Sequence, residues 1–133
     1  MKRKVMIYGI IVAMLVLSGY FWWNMPVYFA KGIDTAEVRQ MQILDKKAER
    51  AVVLIPCEEM NYILDNLSDI QFKKSGISVG NMDYGLEITI IGNNGKIVSK
   101  FDVNSDHMIG KEPFLYKAQS ASICYEYLES LNN

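Results

Sequence analysis

Apolar and polar positions alternate most regularly between Leu86 and Val103. Leu86, Ile88 and Ile90 are separated by Glu87 and Thr89, and Phe101 and Val103 by Asp102, with Lys100 before them. A period of two marks half-buried strands. Asn94-Gly95 lies between the two runs and marks a hairpin, because a type I′ turn needs positive φ at both central residues, which Gly and Asn tolerate best. With Asn94 and Gly95 as the turn, Ile91 faces Val98, Ile90 faces Ser99, Ile88 faces Phe101 and Leu86 faces Val103. A slip of one residue would expose the whole apolar set, so pattern and turn fix the same register. On the other face Glu87 meets Asp102, a like-charge pair that calls for a nearby lysine or a cation.

A lone hairpin is marginal, so the rest of the chain must supply its partners. Val38–Asp45 predicts a first strand, with Met41 and Ile43 on the face of Arg39. Ala51–Ile55 is a β-branched run that predicts its antiparallel neighbour. Pro56 is suited to open a helix, with Glu58 and Glu59 in the favourable first turn. Met60, Ile63, Leu64 and Leu67 follow the i, i+3, i+4, i+7 spacing of a core-facing stripe. Ile70–Lys74 predicts a third strand, and residues 75–83 a loop suited to recognition. His107–Gly110 and Phe114–Lys117 are two short strands. Ser120 or Ser122 caps a last helix whose stripe is Ile123, Cys124, Tyr127, Leu128 and Leu131. The expected fold is α+β: one antiparallel sheet of five to six strands with two helices on one face.

The N-terminus follows a different rule. Val5–Trp23 is an uncharged run of 19 residues, which as a helix spans roughly 28 Å, close to the apolar thickness of a bilayer. Lys2, Arg3 and Lys4 precede it and Tyr20, Phe21, Trp22 and Trp23 close it. Basic residues stay on the cytoplasmic side, and aromatic rings with a polar edge favour the interface. The run therefore predicts a single-pass transmembrane anchor with Lys2, Arg3, Lys4, Tyr20, Trp22 and Trp23 at the membrane interfaces, followed by an extracytoplasmic domain. The expected organisation is a basic start and anchor (1–23), a connector broken by Pro26 and Gly32 (24–36), and the α+β domain (37–133). The alternative is a cleaved leader and a secreted protein of the same fold. Leu17-Ser18-Gly19 resembles the start of a lipobox, but Tyr20 stands where the lipidated Cys would be. The approach to Ala30 contains Tyr28, a poor cleavage context.

Charge narrows the partners. Three of the 14 Lys and Arg precede the apolar run, while all 15 Asp and Glu follow it. The remaining chain is mildly acidic, which argues against nucleic acid.

Three features invite chemistry. Asp102, Asn104 and Asp106 have the D-x-N-x-D spacing of a calcium loop. His107 stands where an EF-hand needs Gly, and Pro113 where it needs Glu, so a polar turn at a strand end is the plainer reading. His107 is the single histidine, and no nucleophile motif surrounds it. Cys57 and Cys124 lack paired metal-ligand spacing. Outside the cytoplasm they can form a disulfide worth roughly 4 kcal/mol in the chain-entropy model, or remain two buried thiols. No catalytic residue, metal or cofactor is expected from these patterns.

The basic start, the apolar span, the ββα opening and the run Tyr84-Gly-Leu-Glu-Ile-Thr-Ile-Ile with Asn-Gly-Lys-Ile-Val together carry a resemblance. The chain resembles the small anchored or exported α+β domains of unknown function of Gram-positive bacteria. That resemblance implies a bacterial, membrane-bound, extracytoplasmic module, and no site residues. The expected role is an interaction module, not an enzyme, with the bilayer and a protein at the cell surface as partners. A sensor for a small ligand or a cation such as calcium is the second expectation.

Overall fold

The structure, a computed structural model, describes residues 2–77, 85–119 and 121–131. Tyr84, Ser120 and most of the expected 75–83 loop lie outside them. The fold is α+β: an N-terminal apolar helix, two further helices and one antiparallel sheet of seven strands.

The central hairpin is β4 (Leu86–Gly92) and β5 (Ile97–Val103). Leu86 pairs with Val103, Glu87 with Asp102, Ile88 with Phe101, Thr89 with Lys100 and Ile90 with Ser99, as the alternation requires. The turn itself differs from expectation. Gly92 N–H donates to Lys96 O at 2.9 Å, so the loop has three residues, Asn93-Asn94-Gly95. Gly95 alone takes positive φ, +81°. Asn94 instead accepts the Lys96 N–H through its side chain at 3.0 Å. The longer loop would shift every pair by one, but a bulge at Val98 cancels it: Ile91 pairs with Ile97, not with Val98. The apolar residues therefore keep their face.

β1 (Val38–Asp45) pairs with β4 on one side and β2 (Arg50–Leu54) on the other. A second bulge between Val38 and Gln40 changes the expected face of Arg39. Val38 takes the inward position, and Arg39 is exposed, donating to Asn93 O at 2.7 Å. After β5 come β6 (Met108–Lys111) and β7 (Phe114–Ala118), and β3 (Phe72–Ile77) pairs with β7 at the far edge. The strand order is β2-β1-β4-β5-β6-β7-β3. Seven strands replace the expected five to six. Each short segment after the hairpin finds a ladder, and β3 runs three residues beyond Lys74 to reach Phe114.

α2 (Glu58–Ser68) buries Met60, Ile63, Leu64 and Leu67. Its N-cap is Cys57, one residue after Pro56, so the helix starts slightly later than expected. α3 (Tyr125–Leu131) is shorter than its apolar pattern. Ile123 and Cys124 precede it, and Cys124 O accepts the Leu128 N–H at 3.0 Å, so Ser122 does not cap the helix. Buried residues of both helices join one core with Met41, Ile43, Leu86, Ile88, Ile90, Phe101, Val103, Ile109 and Phe72.

Segment 24–36 contributes to that core. Val27 forms a two-way bridge to Phe72, with N···O distances of 2.8 and 2.9 Å. Phe29 is buried, its ring 5.1–5.2 Å from those of Phe72, Phe101 and Tyr116. Ala30 is 1% exposed. The end of this segment is pinned by Asp34, which caps the 3-10 turn at Thr35–Glu37.

α1 (Lys2–Asn24) is exposed over its apolar length and long and apolar enough to cross a membrane. Among the described residues, its side-chain contacts with the domain lie at its end. The Trp22 and Trp23 rings stand edge-on to Phe114 at 5.5 and 5.7 Å. Lys74 Nζ lies 4.2 Å over the Trp22 ring and donates to the Trp22 carbonyl at 3.2 Å.

Candidate functional site

The two edges of the sheet are unequal. The β3 edge carries the Val27 bridge and the end of α1. The β2 edge carries no further strand among the described residues. Its residues follow from the local chain. Asp45 accepts the N–H groups of Lys47 and Ala48 at 3.0 and 3.1 Å, and Glu49 at φ +54° completes a tight reversal. The strand that returns, Arg50–Leu54, is rich in β-branched residues and ends before Pro56, which cannot donate to a ladder. Val53 is 54% and Ile55 69% exposed. Unpaired backbone groups beside exposed β-branched side chains form a template for an added strand.

On the outer face of the sheet the Glu87–Asp102 pair is relieved as the sequence requires. Lys46 Nζ meets Asp102 at 2.8 Å and Lys100 Nζ meets Glu87 at 3.0 Å. Lys46 is held for this by its own N–H, which donates to Gly85 O at 3.2 Å. The lysine side chain is mostly buried, so its stem packs while its charge compensates the carboxylates.

The three candidate calcium ligands are thus in different company. Asp102 is engaged by Lys46, and Asp106 lies 2.8 Å from His107 Nδ1. Asn104 Oδ1 is buried without a partner among the described residues. Asp106 O instead accepts the Ile123 N–H at 2.6 Å, tying the turn to the approach of α3. Among the described residues no group of three His, Cys, Asp or Glu side chains is arranged to hold a metal. Because a cation at Asp102 would have to displace the Lys46 ammonium, millimolar calcium is expected to leave the melting midpoint unchanged. A rise would show a site that binds only the folded form.

Cys57 and Cys124 are both free thiols at the α2–α3 seam. Burial pushes the Cys124 thiol up to about 11. The Cys57 side chain beside it holds the exposed Glu59 carboxyl below its usual range. Tyr62 of α2 and Tyr127 of α3 meet with ring centroids 4.6 Å apart and planes inclined at 60°. Asn66 links the same elements: its Oδ1 accepts the Cys124 N–H at 2.9 Å and its Nδ2 donates to Ser122 O at 3.2 Å. Nothing in the spacing around Asn66 signals this brace, because its partners lie 56 and 58 residues away.

The thiol raised from 9.0 to about 11 predicts that the Cys124 thiolate is about a hundredfold scarcer near neutral pH than an unfolded one. Alkylation of Cys124 in the folded protein should slow accordingly. The linkage has a definite sign. Between about pH 9 and 11 the unfolded chain has lost this proton and the folded chain keeps it, so stability falls as pH rises. Tyr125, pushed up to about 12 by burial and then by Glu129 and Asp45, acts in the same direction. A melting midpoint that rises above pH 9 would contradict both shifts.

Of the expected interface residues, Trp22 and Trp23 are brought onto Phe114, while Tyr20 stays exposed, edge-on to Phe21 at 6.2 Å. Lys2, Arg3 and Lys4 begin α1 at its far end. No family model, curated protein or solved structure matches the chain.

Proposed function

We propose that this chain is a single-pass, membrane-anchored extracytoplasmic module that binds a protein at the cell surface by accepting a strand on its β2 edge. The observation that carries the reading is the asymmetry of the sheet. One edge is capped by Val27 and the anchor, and the other presents Arg50–Leu54 with Val53 and Ile55 exposed. Backbone groups of β2 supply the pairing, and the side chains of Val53 and Ile55 select the partner strand. The anchor orients this edge by holding the basic residues Lys2, Arg3 and Lys4 in the cytoplasm.

A photo-crosslinking residue at Ile55 in intact cells tests the reading. A discrete adduct should form, and it should be lost in Val53→Lys, since a charge on an edge strand opposes strand addition. Val53 is exposed, so the substitution should change stability by less than about 0.5 kcal/mol. An adduct unaffected by Val53→Lys, or no adduct together with a measurable catalytic turnover, would overturn it.

A further inference from the structure

Strand registers place Ile77, Phe114, Lys111 and Ile97 at one end of the sheet. Ile77 pairs with Phe114 and Phe114 with Lys111, and β5, whose Phe101 falls level with Lys111 by the Asp102–Gly110 pairing, continues in the same direction to Ile97. The opposite end holds Asp45, Arg50 and Leu86. The path of the chain decides which end α1 leaves from. It passes from Trp22, beside Lys74, to Val27, beside Phe72, and so runs antiparallel to β3. α1 therefore departs where β3 finishes, at Ile77.

Only Met25 and Pro26 separate the end of α1 from Val27. Two residues reach at most about 7 Å, and the contacts of Trp22 and Trp23 with Phe114 and Lys74 shorten the link further. That end of the sheet is held at the level where the helix emerges. It is also where exposed apolar side chains gather: Ile77 66%, Ile97 59% and Val98 53% exposed. Lys96 and Lys111 are exposed beside them, in a domain that is acidic as a whole. Glu37 and Glu112 are also exposed at this end, but with Arg39 the bases outnumber them among the described residues, and apolar side chains with an excess of basic residues match an interfacial layer with anionic headgroups.

We infer that this end of the sheet rests on the bilayer that α1 crosses, with Ile77, Ile97 and Val98 in the interfacial layer and Lys96 and Lys111 against anionic headgroups. The inference rests on the anchored reading proposed above. It makes the domain a fixed extension of its anchor, with the β2 edge six strand positions from the point of attachment.

The test uses the full chain, with Cys57→Ser and Cys124→Ser, in phosphatidylcholine vesicles with and without phosphatidylglycerol. Nitroxide labels go at Val12→Cys in α1, at Ile77→Cys and Ile97→Cys, and at Ala51→Cys on the opposite end. Collision with lipid-soluble oxygen is compared with collision with a water-soluble nickel complex. Oxygen should dominate at 12, 77 and 97, and nickel at 51. Lys96→Glu with Lys111→Glu should shift 77 and 97 toward nickel in the anionic vesicles. Nickel dominance at 77 and 97 with oxygen dominance at 12 overturns the inference and leaves the anchor intact. Shielding of 77 and 97 from both reagents points to a protein interface there and also overturns it. Nickel dominance at 12 removes the anchored reading itself. Indifference of 77 and 97 to the two charge reversals overturns the headgroup contact.

Discussion

Phe29→Ala is expected to cost about 3–5 kcal/mol of stability, as large aromatic truncations in cores do. For a domain of this size that lowers the melting midpoint by roughly 15–25 °C. The residue lies in a segment that reads as a connector, yet its ring is surrounded by Phe72, Phe101 and Tyr116 at 5.1–5.2 Å. Those three come from β3, β5 and β7, so a single side chain ties the paired strands β7 and β3 to β5, which lies beyond β6. Removing it leaves a cavity that rigid strands cannot close. Tyr28→Ala, one residue earlier and 39% exposed, is the control and should stay within about 1 kcal/mol of the parent. Denaturant unfolding of the full chain in detergent measures both. Equal stability of the two variants would mean that segment 24–36 does not belong to the folding unit.

Placing arginine at both Val12 and Leu15 is expected to remove the protein from the membrane fraction. Both positions lie near the middle of α1, and each arginine there costs about 3 kcal/mol on insertion scales, or about 6 together. At 1.4 kcal/mol per decade that is about four orders of magnitude in the insertion equilibrium. The same pair at Lys2 and Lys4 only replaces one base by another and should leave fractionation unchanged. Separation of membranes from soluble protein, read by immunoblot, checks both. Retention of the Val12→Arg, Leu15→Arg protein in washed membranes would show that attachment does not depend on α1 entering lipid.

Local physics made the hairpin legible. Alternation between Leu86 and Val103 and the Asn-Gly pair constrain each other, so the register of five residue pairs follows from adjacent sequence. The exact loop does not. Three residues with a bulge at Val98 and two residues without one give the same inward face, and apolar pattern alone distinguishes only faces. The stripe of α2 was equally local. What escaped was non-local or irregular. β3 and β7 pair across the length of the sheet's central elements, and the bulge at Arg39 reverses a face that strict alternation assigns. Val27 and Phe29 carry a signal, two apolar residues at i and i+2, but the run is too short to outweigh Pro26 and Gly32. The charge relief at Asp102 was foreseeable in kind, since like charges opposite each other need a cation. That Lys46 supplies it depends on the turn after β1 folding back beside Gly85. The open edge was legible only as a general property of sheets, because no sequence rule orders seven short strands.

The proposed role depends most on α1 holding the sheet on the outer side of a membrane, and labelling in intact cells measures that directly. A cysteine at the exposed position Ala51, in a protein lacking Cys57 and Cys124, is treated with a membrane-impermeant maleimide. Full labelling is expected before lysis, with the same intensity after it, in protein that stays in alkali-washed membranes at full mass. Labelling that appears only after lysis, or full-length protein released by the wash, would contradict it.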